Sequence, residues 1–266
     1  MHAFKFELPE FVVNVADVNT ELFLKNANKV SKKVEFKNTI YKKYIKRALD
    51  IIISFFALLV SLPINTVIAV LTYFDVGRPI FFTQERFGKD GKVFSLIKFR
   101  NMNNNTDENG ELLPPGERVT KLGKIMRKTS MDELLNFVSI IKGDMSIIGP
   151  RPLPVDYEKW MSERHLHRRD VRPGLECPYI LAEKKNLDWN ERFENDVLYA
   201  EKCSFLLDVK LCFKIVKLVL HPTPHREKGD RGYFVGYNEE GKAIGWVDLP
   251  KKTLEECIKR NIKVTQ

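Results

Sequence analysis

Cysteine is scarce in this chain, and what there is does not suit metal or disulfide work. The 266 residues include four cysteines, Cys177, Cys203, Cys212 and Cys257. None forms a CxxC pair, and no histidine stands at zinc-ligand spacing beside them. That excludes a disulfide framework and a zinc site as organising features, and a reducing, cytoplasmic setting is expected. The opening residues, MHAFKFELPEF, lack a basic stretch followed by an apolar one, so they do not read as a secretory signal. No internal repeat is present. Acidic charge is in deficit: 35 Asp and Glu stand against 44 Lys and Arg, a net charge of +9. That excess favours anionic partners, whether nucleic acid, acidic lipid head groups or phosphorylated substrates, and does not choose among them. The apolar share of 44% excludes global disorder, and the length allows one large domain or two small ones.

Against this background one segment stands out. Ile51–Phe74 carries no charge at all. A helix needs about 20 apolar residues to cross a bilayer, so the length suffices. Pro63 lies near its centre, flanked by Ser61 and Asn65. Proline removes a backbone donor and clashes with the preceding turn. Each half is then about a dozen residues, the length of a re-entrant or interfacial piece. Both flanks are basic: Lys42, Lys43, Lys46 and Arg47 before, Arg78, Arg86 and Lys89 after. Cytoplasmic flanks collect positive charge. The simplest topology therefore has both ends on the cytoplasmic side, with a helix-break-helix centred on Ser61 and Pro63. A kinked spanning helix and a buried core helix are the alternatives. A second cue is Phe205–Leu220, where Lys210, Lys214 and Lys217 share one face of an apolar helix. That pattern suits a membrane interface and equally a core helix with one solvated face.

The remaining pattern predicts small elements. Residues 80–86 and 92–100 read as a hairpin turning at Gly88–Gly91, and residues 103–116 as a loop. A helix follows in which Leu122, Ile125 and Met126 share a face. Another runs from Met131 to Lys142 and stops at Gly143. Residues 190–202 are helical, with Trp189, Phe193, Val197 and Ala200 along one side. Pro222 and Pro224 end the regular pattern. A further hairpin is read across residues 233–247 and a short helix across 253–260. The fold class is α/β, mostly helical with small hairpins.

Chemistry concentrates between Lys124 and Pro152. Asp132 and Glu133 are adjacent at a helix start. Ser130 to Glu133 also matches a capping box, a purely structural reading. Arg127 lies one turn upstream, Arg151 sits in the rigid Gly149–Pro152 stretch, and Arg172 repeats that theme before Pro173 and Gly174. A site that cleaves a pyrophosphate needs one or two carboxylates for Mg²⁺ and cations for phosphate oxygens. His165 and His167 fall in a basic run with Arg164, Arg168 and Arg169, which reads as a solvated or lipid-facing patch. Asp196, Tyr199 and Asp208 read as structural.

Seven ordered blocks carry a specific resemblance: KRALD (46–50), PIFFTQERFG (79–88), IKFRNM (97–102), RKTSMDELLN (127–136), KGDMSIIGPRP (142–152), VRPG (171–174) and SFLLDVK (204–210). In order and spacing the chain resembles the bacterial sugar transferases, the monotopic phosphoglycosyl transferases that begin membrane-linked glycan and exopolysaccharide assembly. The resemblance implies a re-entrant membrane helix (residues 41–77) and a compact cytosolic catalytic domain (78–221), leaving extensions at 1–40 and 222–266. It implies an enzyme at the cytoplasmic face of the bacterial inner membrane. Its substrates would be a UDP-sugar and polyprenyl phosphate, usually undecaprenyl phosphate, and its cofactor Mg²⁺. Carried over, Asp132 is the nucleophile, Asp132 and Glu133 hold Mg²⁺, and Arg127, Arg151 and Arg172 contact phosphate. The resemblance is broken in places. Leu62–Pro63 stands where the family often has Ser-Pro. After VRPG the chain reads Leu175–Tyr179 and then Glu183–Asn186, in place of the family's Thr-Gly-Trp-like stretch. A catalytically impaired assembly partner is the alternative, and the intact Asp132–Glu133 pair argues against it. A nucleic-acid binder would rest on charge alone and leaves the uncharged segment unexplained.

Overall fold

A computed structural model describes residues 8–108, 110, 113, 115–180, 187–220 and 232–264. Helices dominate, with three two-stranded sheets among the described residues. In chain order the helices are α1 (Glu10–Val30), α2 (Lys46–Val76), α3 (Pro115–Arg118), α4 (Lys121–Thr129), α5 (Asn136–Lys142), α6 (Glu163–Leu166), α7 (Trp189–Lys202), α8 (Phe205–Leu220) and α9 (Lys251–Lys259). The strands are β1 (Phe81–Phe87), β2 (Val93–Phe99), β3 (Ser146–Ile148), β4 (Gly174–Glu176), β5 (Phe234–Tyr237) and β6 (Ala243–Gly245). Two compact units result. Among the described residues, one holds Ala48–Glu85 and Phe94–Met145, and the other holds Leu8–Arg47, Arg86–Val93 and those from Ser146 onward.

In the first unit α2 is inverted relative to a water-soluble helix. Its buried positions are Asp50, Ser54, Ser61, Asn65, Ile68 and Thr72, and its exposed ones include Ile52, Phe56, Val60, Val67 and Phe74. A helix that hides serine and asparagine while presenting phenylalanine and isoleucine is built for an apolar medium. A π-helical turn at Tyr41–Ile45 leads into it, and Tyr41–Val76 as a whole is long and apolar enough to cross a membrane. The expected division into two helical halves at Pro63 needs correction, because one helix, Lys46–Val76, includes that residue. Nearby side chains help hold it. Ser61 Oγ donates to the Leu58 carbonyl at 3.2 Å, Thr66 Oγ1 donates to the Leu62 carbonyl at 3.0 Å, and Asn65 Nδ2 donates to Ser61 Oγ at 3.2 Å. Ile68 packs with Phe99 and Met126, tying α2 to β2 and α4.

The first hairpin forms as expected, with Asp90 and Gly91 in the left-handed region at its turn. The Met131–Lys142 helix forms in two pieces. A short 3₁₀ turn, Met131–Glu133, precedes α5, and Gly143 ends α5 at φ 106°. On α4, Met126 is buried but Ile125 is exposed, so the apolar face is narrower than the sequence implied.

In the second unit β3 and β4 pair in parallel, Ser146 opposite Gly174 and Ile148 opposite Glu176. The glycines after β3 and at the start of β4 are a steric requirement. A Cβ on Gly174 would come within 2.1 Å of the Gly149 nitrogen, and one on Gly149 within 2.4 Å of the Arg172 carbonyl. The GPRP and VRPG motifs are therefore two sides of one close backbone crossing. Helices α7 and α8 cover this pair through Tyr199, Ala200, Cys203 and Leu211. On α7 Asp188 and Glu191 form a reciprocal capping box, and Trp189, Phe193, Val197 and Ala200 are buried as the spacing predicted. Helix α8 has one buried face and one exposed face that is both apolar and basic. Leu211 is buried, while Phe205, Leu206, Phe213 and Val216 are exposed beside the lysines.

The terminal stretches meet in the same unit. Helix α1 packs on β5 and α9. Asn19 Nδ2 donates to the carbonyls of Val235 (3.0 Å) and Tyr237 (2.9 Å), and its Oδ1 accepts from Thr253 Oγ1 at 2.7 Å. The second hairpin, β5–β6, is antiparallel as expected. Residues 183–186, Pro222 and Pro224 lie outside the described residues.

Candidate active site

The Asp132–Glu133 pair is placed by the end of α4. Thr120 caps the start of that helix, its Oγ1 accepting from the Gly123 amide at 2.9 Å. Ser130 closes it in the left-handed conformation at φ 56°. The expected capping box is therefore corrected: Ser130 serves as the C-cap of the preceding helix and makes no side-chain cap bond to the 3₁₀ turn. That turn carries Asp132 inward, where it is buried, while the neighbouring Glu133 reaches β2.

Two residues not singled out in the sequence complete the group. Lys98, on β2, pairs with Glu133 Oε1 at 2.6 Å, both side chains largely buried. Asn101, just past β2, donates from Nδ2 to Asp132 Oδ2 at 3.1 Å. Its own Oδ1 accepts from Arg127 Nε (3.2 Å) and Nη2 (2.9 Å). Desolvation pulls the Arg127 guanidinium below its usual pKa, and the nearby Asp132 charge works in the opposite direction. Both missed residues lie in the IKFRNM block, and the available signal was a lysine and an asparagine at the end of an otherwise apolar strand.

Arg151 and Arg172 belong to the second unit. Arg151 Nη1 donates to the Leu175 carbonyl at 3.3 Å and lies 3.9 Å from Glu176, and Arg172 follows on the same backbone crossing. The reading of the basic run at 164–169 as a solvated or lipid-facing patch needs correction at His165 and Arg168, while His167 and Arg169 stay partly exposed. Arg168 is buried against Asp196 at 2.7 Å and also holds the Arg151 carbonyl at 2.7 Å. His165 is buried too, between Tyr237 Oη at 2.9 Å and Glu194 at 3.0 Å. These are packing and positioning contacts rather than a solvated patch, because ion pairing and hydrogen bonding compensate the lost hydration. Asp208 accepts from Lys46 (2.7 Å), Tyr41 (2.5 Å) and Tyr199 (2.6 Å), all within the second unit.

The first unit thus offers a buried carboxylate oriented by an amide, a second carboxylate held by a lysine, and an arginine behind both. Among the described residues no group of three His, Cys, Asp or Glu stands together. Mg²⁺ is usually held by only one or two carboxylates, with water and substrate phosphate oxygens in the other positions.

A sequence model of the bacterial sugar transferases matches residues 41–222. The chain is similar to the sugar transferase EpsL of Bacillus subtilis, 38% identical over 176 residues that cover 66% of this chain and 87% of that one. It is similar to the UDP-N-acetylgalactosamine-undecaprenyl-phosphate N-acetylgalactosaminephosphotransferase of Aeromonas hydrophila, 33% identical over 185 residues, 66% of this chain and 44% of that protein. It is also similar to the UDP-glucose:undecaprenyl-phosphate glucose-1-phosphate transferase of Klebsiella pneumoniae, 37% identical over 181 residues, 64% of this chain and 39% of that protein. The match thus spans less than half the length of these last two relatives. The stretch matched to the family contains α2, Lys98, Asn101, Arg127, Asp132, Glu133, Arg151 and Arg172, and the chain belongs to the bacterial sugar transferase family.

Proposed function

We propose that this enzyme transfers a sugar-1-phosphate from a UDP-sugar to a polyprenyl phosphate at the cytoplasmic face of the bacterial membrane, releasing UMP. One observation carries the reading. Asp132 is buried, and a hydrogen-bond chain from Arg127 through Asn101 orients it. Burying a carboxylate is costly unless it is paired, and structural acids gain little from such an arrangement. A nucleophile does gain. An Asp132 oxygen attacks the sugar-bearing phosphorus, the bond from that phosphorus to the bridging oxygen breaks, and UMP leaves with the bridging oxygen. An oxygen of the lipid phosphate then attacks the same phosphorus and returns the Asp132 carboxylate. Dividing the displacement in two lets each anionic substrate react in turn.

Glu133, with Asp132, is the group to hold Mg²⁺ together with the substrate's phosphate oxygens. Bound there, Mg²⁺ offsets the pyrophosphate charge. Lys98 keeps Glu133 in place and adds positive charge beside it. Arg151 and Arg172 are assigned to phosphate oxygens, for which guanidinium geometry is suited. The exposed apolar side chains of α2 support a membrane seat, and the basic residues flanking it on both sides are the ground for placing both ends on the cytoplasmic side. The exposed apolar side chains of α8, interleaved with Lys210 and Lys217, support a second contact with the interface.

Two of the relatives above are named for different sugars, N-acetylgalactosamine and glucose, so a panel of UDP-glucose, UDP-galactose and UDP-N-acetylgalactosamine with Mg²⁺ comes first, scored by UMP release. The test then uses stringently delipidated protein and the preferred UDP-sugar. Labelled UMP is expected to exchange into the UDP-sugar without lipid, and Asp132→Asn to abolish that exchange. Full turnover with lipid but no exchange without it would remove the aspartyl intermediate and recast Asp132 as a metal ligand or base.

A further inference from the structure

Asn101 lies between two groups of opposite hydrogen-bonding character. A guanidinium only donates, and an ionised carboxylate only accepts. Arg127 offers Nε and Nη2, and Asp132 offers Oδ2. An asparagine placed between them has one workable orientation, with Oδ1 toward the arginine and Nδ2 toward the aspartate. Its partners therefore fix the amide's rotation.

The backbone beneath Asn101 is fixed as well. Gly123 comes so close that a Cβ there would stand 2.1 Å from the Asn101 carbonyl. That carbonyl also accepts from the Thr120 amide at 3.3 Å. The start of α4 thus clamps Asn101 from one side while Arg127, two turns further along α4, holds its side chain from the other. The residue is buried, and so is Asp132. In such surroundings the arginine polarises the amide and strengthens its bond to the carboxylate.

We propose that Asn101 is a positioning residue of the transfer reaction: it fixes the plane of the Asp132 carboxylate for attack on phosphorus, with Arg127 as its anchor. This rests on Asp132 being the nucleophile. Arg127 then acts on the reaction chiefly through Asn101, and substrate binding does not depend on the amide. Misplacing a reacting atom by about 1 Å can cost on the order of a hundredfold in rate. The loss should therefore fall on kcat and not on KM.

The test uses the full chain in detergent with undecaprenyl phosphate and the UDP-sugar preferred in the panel. Asn101→Ala is expected to lower kcat about tenfold or more while KM for the UDP-sugar stays within about twofold. Asn101→Asp is nearly identical in shape and keeps an acceptor for Arg127, but it turns an oxygen toward Asp132 in place of the donor. It is expected to be slower than Asn101→Ala. A packing role would give the reverse order, because the isosteric side chain would then be the better substitute. If Asn101→Ala does not fold, Asn101→Ser replaces it, and Asn101→Asp is expected to be slower than Asn101→Ser. A raised KM with unchanged kcat, the reverse order, or unchanged kinetics in both variants overturns the proposal. Asp132→Asn is assayed alongside for UMP exchange. If that variant is silent while the Asn101 variants are normal, this inference alone falls. If it exchanges normally, the nucleophile reading falls and takes this inference with it.

Discussion

Asp132 and Asp196 are both buried carboxylates, and the difference between them separates chemistry from structure. Asp196 takes two guanidinium donors from Arg168, at 3.0 and 2.7 Å, and nothing about it resembles a reaction site. Removing one partner of a buried ion pair costs about 3–5 kcal/mol. Asp196→Asn is therefore expected to lower the melting temperature strongly, whereas Asp132→Asn should leave it nearly unchanged and lose turnover. Thermal unfolding of both variants beside their UMP-release rates checks this. Glu133→Gln should keep measurable turnover but need more Mg²⁺, read from a metal titration, since a neutral amide is a weaker ligand and loses the charge of the Lys98 pair. The Asp132–Glu133 pair was legible in the sequence because two adjacent acids with basic neighbours are locally visible. Asn101 was not, since an asparagine's partners depend on where α4 lies. Ser130 was misread for a related reason: the four-residue cap pattern does not tell which of two abutting elements it closes. His165 and Arg168 looked solvated because nothing local announces Glu194 or Asp196, about 29 and 28 residues away.

At the scale of elements, α2 and α7 make the clearest statements. Composition announced α2, and its inverted burial fits lipid, but proline was too strong a cue for a break in the helical backbone. The helix includes Pro63 without ending there. Topology is thus a question of direction, not of helical content. Single cysteines at Lys43 and Lys89, in a background lacking the four native ones, are expected to react with an impermeant maleimide only from the cytoplasmic side. Labelling on opposite sides would establish a spanning helix. Pro63→Leu should favour the spanning form. Helix α7 instead carries a pH signature. Burial raises the Glu194 pKa, but hydrogen bonds from Arg164 and His165 outweigh it and bring it down to about 2 from 4.5. A carboxylate depressed in the folded state stabilises above its unfolded pKa, and that contribution is lost as pH falls toward the folded value. The melting temperature should therefore drop between about pH 4.5 and pH 2 more steeply in the native protein than in Glu194→Gln. Parallel curves would show that Glu194 contributes nothing there. The short hairpins and α7 were read well because turn glycines and a helical apolar face are local signals.

At the scale of the whole molecule, the stretches before and after the family match are not independent appendages. Asn19 binds both to β5 and to Thr253, and α1 lies on β5 and α9. No local pattern could reveal this, because the partners are 216 or more residues apart. Asn19→Ala would leave the two β5 carbonyls without their donor, and each buried unsatisfied group costs about 1–3 kcal/mol. Limited proteolysis of that variant is expected to open α1 and the β5–β6 hairpin together, while UMP release persists. Cleavage confined to one of them would show that they do not share stability. Membrane seating is also tested at this scale: high salt should leave the protein in the membrane fraction and detergent should release it, the opposite of a nucleic-acid binder. The pairing of α1 with β5 also has a consequence in time. A ribosome adds about 5–20 residues per second, so α1 leaves the exit tunnel roughly 10–40 s before its β5 partner exists. During that interval Val12, Val15, Ala16 and Phe23 have no strand to cover them, while the apolar α2 is emerging close behind. Helix α1 therefore spends that interval uncovered, and slowing translation should raise its loss to proteases.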